Sequence, residues 1–159
     1  MSTPRALVIT ASTRAAAGVY ADLSGPELVA GLVLLGFAVG DPQVVPDGAP
    51  VERALRAAVD AGYDVVLTTG GTGLGPQDVT PDLTRQVLDR EVPGVGEAIR
   101  AAGLAAGVGP AMLSRGLAGV AGRTFIVNLP GSPGGARDGL AVIGPVLRHV
   151  VAQIAGSDH

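Results

Sequence analysis

Tyr63-Asp64-Val65-Val66-Leu67-Thr68-Thr69-Gly70-Gly71-Thr72-Gly73 is the stretch that decides the fold. An apolar run preceded by Gly62 and running straight into glycines predicts a buried strand that ends in a loop. Ala6-Leu7-Val8-Ile9-Thr10 has the same character and ends in the small polar residues Ser12 and Thr13. Between these two runs the spacing turns helical. Ser24-Gly25-Pro26-Glu27 has the form of a capping box with Pro in the first turn, and Leu28, Val29, Leu32 and Leu35 follow at helical intervals. Gly36 or Gly40 closes that helix, and a strand weakened by Gly40 and Pro42 is expected over 37–45. A further helix over 50–61 sets Val51, Leu55 and Val59 on one face.

Downstream, Thr80-Pro81-Asp82 opens a helix through Val87 and Leu88, and 92–106 reads as helical despite Gly94 and Gly96. Leu117–Val120 and Thr124–Val127 form a hairpin-like pair joined at Gly122. The segment 136–154 is helical, kinked or divided at Pro145. Alternating strands and helices predict an α/β three-layer sandwich, a mostly parallel central sheet with helices on both faces. Residues 1–159 read as one domain, without a repeat or linker. Ligands in such sheets bind beyond the C-terminal strand ends, so the loops after Ile9 and Leu67 are where chemistry is expected.

Composition narrows that chemistry. Of 159 residues 47% are hydrophobic and 16% charged, with a formal net charge of −3. That suffices for a core and provides no basic stripe for nucleic acid. Cys and Lys are both absent, which excludes disulfides, Cys-based zinc sites, thiol catalysis, Schiff-base chemistry and a Walker A lysine. The two histidines, His149 and His159, lie near the C-terminus and read as exposed, away from any triad. The apolar stretch 28–39 is shorter than the roughly 20 residues a membrane span needs, and no signal-peptide layout appears, so a cytoplasmic protein is expected.

Carboxylates, hydroxyls, Arg, backbone amides and a borrowed metal remain. The loop Thr69-Gly70-Gly71-Thr72-Gly73 lets amides approach an anion closely, although its spacing matches neither G-x-G-x-x-G nor Walker A, and a plain tight turn reads equally well. Asp78 lies just past it. A carboxylate beside a phosphate cradle repels an anion unless a cation bridges them, which points to Mg²⁺. Asp82 is simply favourable in a first helical turn, and Asp47 in Pro46-Asp47-Gly48 reads as a helix cap. Asn128-Leu129-Pro130-Gly131-Ser132-Pro133 is a second amide-rich loop, and Ser114-Arg115 adds a hydroxyl and a bidentate anion donor, though such a pair is usually surface.

These stretches carry a resemblance. Ser24-Gly25-Pro26, Thr69 to Gly73, Asp78-Val79-Thr80-Pro81, Asp89-Arg90-Glu91-Val92-Pro93-Gly94, Leu113-Ser114-Arg115 and Asn128 to Pro133 recur in that order in the Mog/MoaB molybdenum cofactor biosynthesis family. The chain resembles most closely its actinobacterial Mog-like molybdopterin adenylyltransferases. The resemblance covers nearly the whole chain. It implies a three-layer α/β fold, a homotrimer, and transfer of AMP from Mg-ATP to molybdopterin with release of pyrophosphate, ahead of hand-over to a molybdenum-insertion protein. It carries the catalytic and metal-linked roles onto Asp47 and Asp78. Substrate binding falls on Ser12, Thr69, Gly70, Gly71, Thr72, Gly73, Ser114, Arg115, Asn128, Pro130, Gly131 and Ser132. The alternative is a non-catalytic molybdopterin-binding protein of the MoaB type. Two positions depart from the family pattern: Ser12-Thr13-Arg14 stands where Ser-Asp is common, and Gln77 where Arg often precedes the Asp-Val-Thr-Pro motif. A chain this apolar also points independently to surface buried between subunits.

Overall fold

In a computed structural model that describes residues 2–157, the central sheet is built on three parallel strands. β1 (Arg5–Ala11) pairs with β4 (Val65–Thr69), which pairs with β7 (Thr124–Leu129). On the far side of β1 lie two short parallel pieces, β2 (Ala38–Val39) and β3 (Gln43–Val45). They replace the single strand expected over 37–45. Gly40 and Pro42 fall in the gap, where Pro has no amide to give to the ladder. Beyond β7 the sheet turns antiparallel through β6 (Ala118–Ala121) and the two-residue β5 (Arg90–Glu91). The strand order is β2-β1-β4-β7-β6-β5, with β3 also on β1.

Period-two alternation assigns each sheet face its own core. Ala6, Val8, Val65, Leu67, Phe125 and Val127 point to one side, where α2 (Ser24–Leu34) and α6 (Pro133–Ile154) bury Leu28, Leu32, Leu140, Ile143 and Leu147. α5 (Pro93–Ala105) packs beside α6 on that side. Leu7, Ile9, Val66 and Ile126 point to the other, against Val51, Leu55 and Ala58 of α3 (Ala49–Asp60) and Val87 of α4 (Thr80–Val87). The result is the expected three-layer architecture, helices on both faces of a mixed, mostly parallel sheet. Among the described residues no helix is long and apolar enough to cross a membrane.

Three local expectations change. Of the two outcomes expected at Pro145, a kink or a division, the division does not occur, since α6 runs on through it. Pro145 and Ala141, whose carbonyl loses its helical partner, are both exposed, so the lost hydrogen bond falls on the solvent side of the helix and not in the core. Ser24 caps nothing. It is the first residue of α2, and Asp22 Oδ1 accepts from the Gly25 amide at 3.0 Å instead, while Glu27 pairs with Arg137 at 3.3 Å. Two small helical elements add to the expected set: α1 (Thr13–Ala16), capped by Ser12, and a 3-10 turn over Gly109–Leu113. His149 is exposed on α6, and His159 lies outside the described residues.

Candidate functional site

β1 and β4 end side by side, and the loops leaving them meet the loop after β7. Gly70 makes this possible. Its φ is +98°, and a Cβ there would stand 2.3 Å from the Ala11 carbonyl oxygen, so only glycine lets the two chains pass. Gly71 is also left-handed, and a Cβ on it would meet the Thr80 hydroxyl at 2.3 Å and Asp47 Oδ1 at 3.2 Å. Gly131 packs against Gly70 from the opposite loop. The Thr69 hydroxyl is buried; it donates to the Pro130 carbonyl at 2.7 Å and contacts the Ser24 hydroxyl at 3.1 Å. That bond ties the β4 and β7 loops to the start of α2.

Two clefts flank this junction. The first, about 350 Å³, is lined by Ser12, Asp22, Asp47, Thr69, Gly70, Gly71, Asp78 and Gly131, with Tyr20 at its rim. The second, about 670 Å³ and mostly apolar, is lined by Thr72, Gly73, Leu74, Ile99, Ser114, Pro130 and Ser132. Of the residues expected to bind substrate, all but Arg115 and Asn128 thus divide between adjoining clefts separated by the 70–73 loop.

The acidic cleft has an ordered donor set. Asp47 is not a helix cap, since Gly48 occupies that position in α3. Its Oδ2 accepts from the Thr13 amide (3.2 Å) and hydroxyl (3.1 Å), and its own amide donates back to the Thr13 hydroxyl. Thr13, the first departure from the family pattern, therefore holds Asp47 in place. Asp78 Oδ2 accepts from the Gly75 amide at 2.9 Å, leaving its other oxygen to coordinate a cation. Among the described residues no group of three or more acidic or histidine side chains forms a metal cage. Two carboxylates from separate loops on one cleft instead fit the way Mg²⁺ is held, with phosphate oxygens and water completing the shell.

The chain matches the family model described as "Probable molybdopterin binding domain" over residues 7–149. It is 38% identical over 154 residues to the molybdopterin adenylyltransferase of Helicobacter pylori, covering 94% of this chain and 87% of that one. It belongs to that family. Against the molybdenum cofactor biosynthesis bifunctional protein of Synechococcus elongatus it is 39% identical over 97% of its own length, and it spans 48% of that longer protein. The structure of the molybdopterin biosynthesis Mog protein from Mycobacterium ulcerans superposes with a TM-score of 0.93 at 49% identity, covering 99% of this chain and all of that one.

Within this molybdopterin-binding-domain fold, two residues expected at the ligand are engaged elsewhere, Asn128 in the interior and Arg115 on the glycine loop. Asn128 is buried: Nδ2 donates to the hydroxyls of Thr68 (2.9 Å) and Thr84 (3.0 Å), and Oδ1 accepts from the Leu117 amide at 3.3 Å. β7 continues to Leu129, so alternation points Asn128 at α4 rather than into the loop. It ties β4 and α4 to Leu117, the residue just before β6. Arg115 has its guanidinium on the loop rather than aimed at a free anion: Nε donates to the Gly73 carbonyl, and Nη1 and Nη2 grip Asp82 at 3.1 and 3.0 Å. That hydrogen bond is the main reason the Asp82 carboxyl lies below its usual value and the Arg115 pKa above its own. Ser132 caps α6 through the Gly135 amide while remaining exposed.

Asp22 and Tyr20 were missed by sequence reasoning. Asp22 accepts from the Thr10 hydroxyl at 2.9 Å, and Tyr20 is hydrogen-bonded to Ser12 at 3.0 Å. An Asp two residues before Ser24-Gly25-Pro26 was the available signal, since it suits an N-cap as well as Ser24 does.

Proposed function

We propose that this protein adenylylates molybdopterin, transferring AMP from ATP and releasing pyrophosphate in molybdenum cofactor biosynthesis. The observation that carries the reading is the pair of adjoining clefts meeting at one glycine loop. A two-substrate phosphoryl transfer needs both phosphates to converge on one point, and the 70–73 loop is where the clefts share a wall. The acidic cleft suits the nucleotide, because its carboxylates accept a triphosphate only with a cation between them. The apolar cleft suits a flat heterocycle, with the Ser114 and Ser132 hydroxyls at its edge. The relatives named molybdopterin adenylyltransferase support the same reading.

Asp47 and Asp78 would hold Mg²⁺, which supplies charge neutralisation between the carboxylates and the phosphates and polarises the reacting phosphoryl group. The chain's own residues do the rest. The loop amides at Gly71 to Gly73 bind phosphate oxygens, and Thr13 fixes the direction of Asp47. A terminal phosphate oxygen of molybdopterin forms a bond to the α-phosphorus of ATP. The bond from that phosphorus to the β-bridging oxygen breaks, and pyrophosphate leaves with the electron pair. The attacking phosphate is already ionised at neutral pH, so no general base is needed, in keeping with a histidine-poor chain. A trimer and delivery of product to a metal-insertion protein belong to the same proposal.

The test is steady-state adenylyl transfer with Asp47→Ala and Asp78→Ala beside wild type. Each substitution is expected to lower kcat by at least about a hundredfold, as loss of one transition-state electrostatic group does elsewhere, while molybdopterin binding stays within a few-fold. Turnover unchanged in both variants would overturn the assignment.

A further inference from the structure

One residue organises the loop between the two clefts. The Arg115 amide donates to the Thr72 carbonyl at 2.8 Å, Nε donates to the Gly73 carbonyl at 3.0 Å, and Nη2 reaches the Asp78 carbonyl. The same guanidinium anchors to Asp82 in the first turn of α4. Both ends of the 72–78 segment are therefore gripped from one point. Peptide geometry gives this grip a consequence. In a trans peptide the carbonyl and the following N–H point in opposite directions, and the described chain has no cis bonds. With the Thr72 and Gly73 carbonyls drawn to Arg115, the amides of Gly73 and Leu74 face the other way. Thr72, Gly73 and Leu74 wall the apolar cleft, while Asp78, held by its carbonyl, lines the acidic one.

We infer that Arg115 is a positioning residue, which acts through the loop: its backbone amide sets the direction of the Gly73 amide, and its side chain sets that of the Leu74 amide and the reach of Asp78. A lysine cannot replace it, because a single ammonium on a flexible stem cannot span two carbonyls and a carboxylate as the guanidinium fork does. The kinetic part of this inference rests on the adenylyl-transfer reading, whereas the structural part does not.

Amide hydrogen exchange on full-length wild type, Arg115→Lys and Asp82→Asn separates the two. In Arg115→Lys, exchange over 72–79 is expected to rise about tenfold, as charge-assisted bonds are lost, with β4 peptides unchanged. Asp82→Asn keeps the carbonyl contacts and is expected to give a smaller rise in the same segment. In steady-state assays Arg115→Lys is expected to lose about tenfold or more in kcat, with KM for both substrates within threefold, a split that general destabilisation would not give. Loop exchange unchanged in Arg115→Lys overturns the inference. Should that variant fail to fold, loop exchange unchanged in Asp82→Asn overturns it instead. A loosened loop in a protein whose wild type transfers no AMP leaves the clamp standing and refutes the transferase reading alone.

Discussion

Replacing Gly70 by Ala tests why the site is built on glycine. At φ +98° an L-residue bears left-handed strain of roughly 1–2 kcal/mol. The new methyl would also stand 2.3 Å from the Ala11 carbonyl oxygen, a backbone atom in the middle of the sheet edge that cannot swing aside. Forcing β1 and the loop apart adds roughly 1–3 kcal/mol, as overpacking does elsewhere. Gly62→Ala is the control, since its φ is +77° but nothing lies within 4 Å of the added methyl. It should lose the strain alone. The two variants thus differ by roughly 1–3 kcal/mol, which in a protein of this size is about 2–12 °C in melting temperature. Differential scanning calorimetry under one buffer reads this directly. Equal losses in the two variants would show that the close approach of β1 to the loop does not constrain Gly70.

Asn128→Ala leaves the Thr68 and Thr84 hydroxyls and the Leu117 amide without their shared partner, and a loss of about 3 kcal/mol in urea unfolding is expected, one per bond. The same variant should keep substrate binding in its folded fraction, because Asn128 does not reach either cleft. Asp82 gives a pH signature. Its carboxyl is held below the usual carboxylate range, chiefly by the Arg115 hydrogen bond, so its stabilisation is complete above that range and disappears as pH falls through the lowered value. The pair is solvent-exposed, with side chains 37% and 48% accessible, so the gap between wild type and Asp82→Asn should be at most about 1 kcal/mol at pH 7. Unfolding measured in acid should show that gap closing.

The layers were legible because both cores obey simple periods. Val65 and Leu67 alternate with Val66 across the sheet, and Val51 and Leu55 repeat along α3, as the sequence pattern requires. The glycine loop was legible too, since Gly70 and Gly71 follow an apolar run directly. What was not legible depends on partners distant in sequence. Ser24 and Asp22 are both good capping residues, and Ser-x-x-Glu spacing favours Ser24. The choice is made by Thr69, which takes the Ser24 hydroxyl from 45 residues away. Arg115 looked like a free anion donor because its ties to Gly73 and Asp82 span 42 and 33 positions. Asn128 sits in text that reads as loop, yet β7 runs one residue past it and turns it inward. The division of the expected ligand residues between two clefts follows from how three loops converge, which no local pattern encodes.

The most direct test of the account is a single-turnover reaction of the wild-type protein with molybdopterin, Mg²⁺ and ATP labelled at the α-phosphorus. One label transferred to the pterin for each pyrophosphate released is the expected result. Tight pterin binding with all label remaining in ATP would contradict it and leave a pterin-binding protein that performs no transfer.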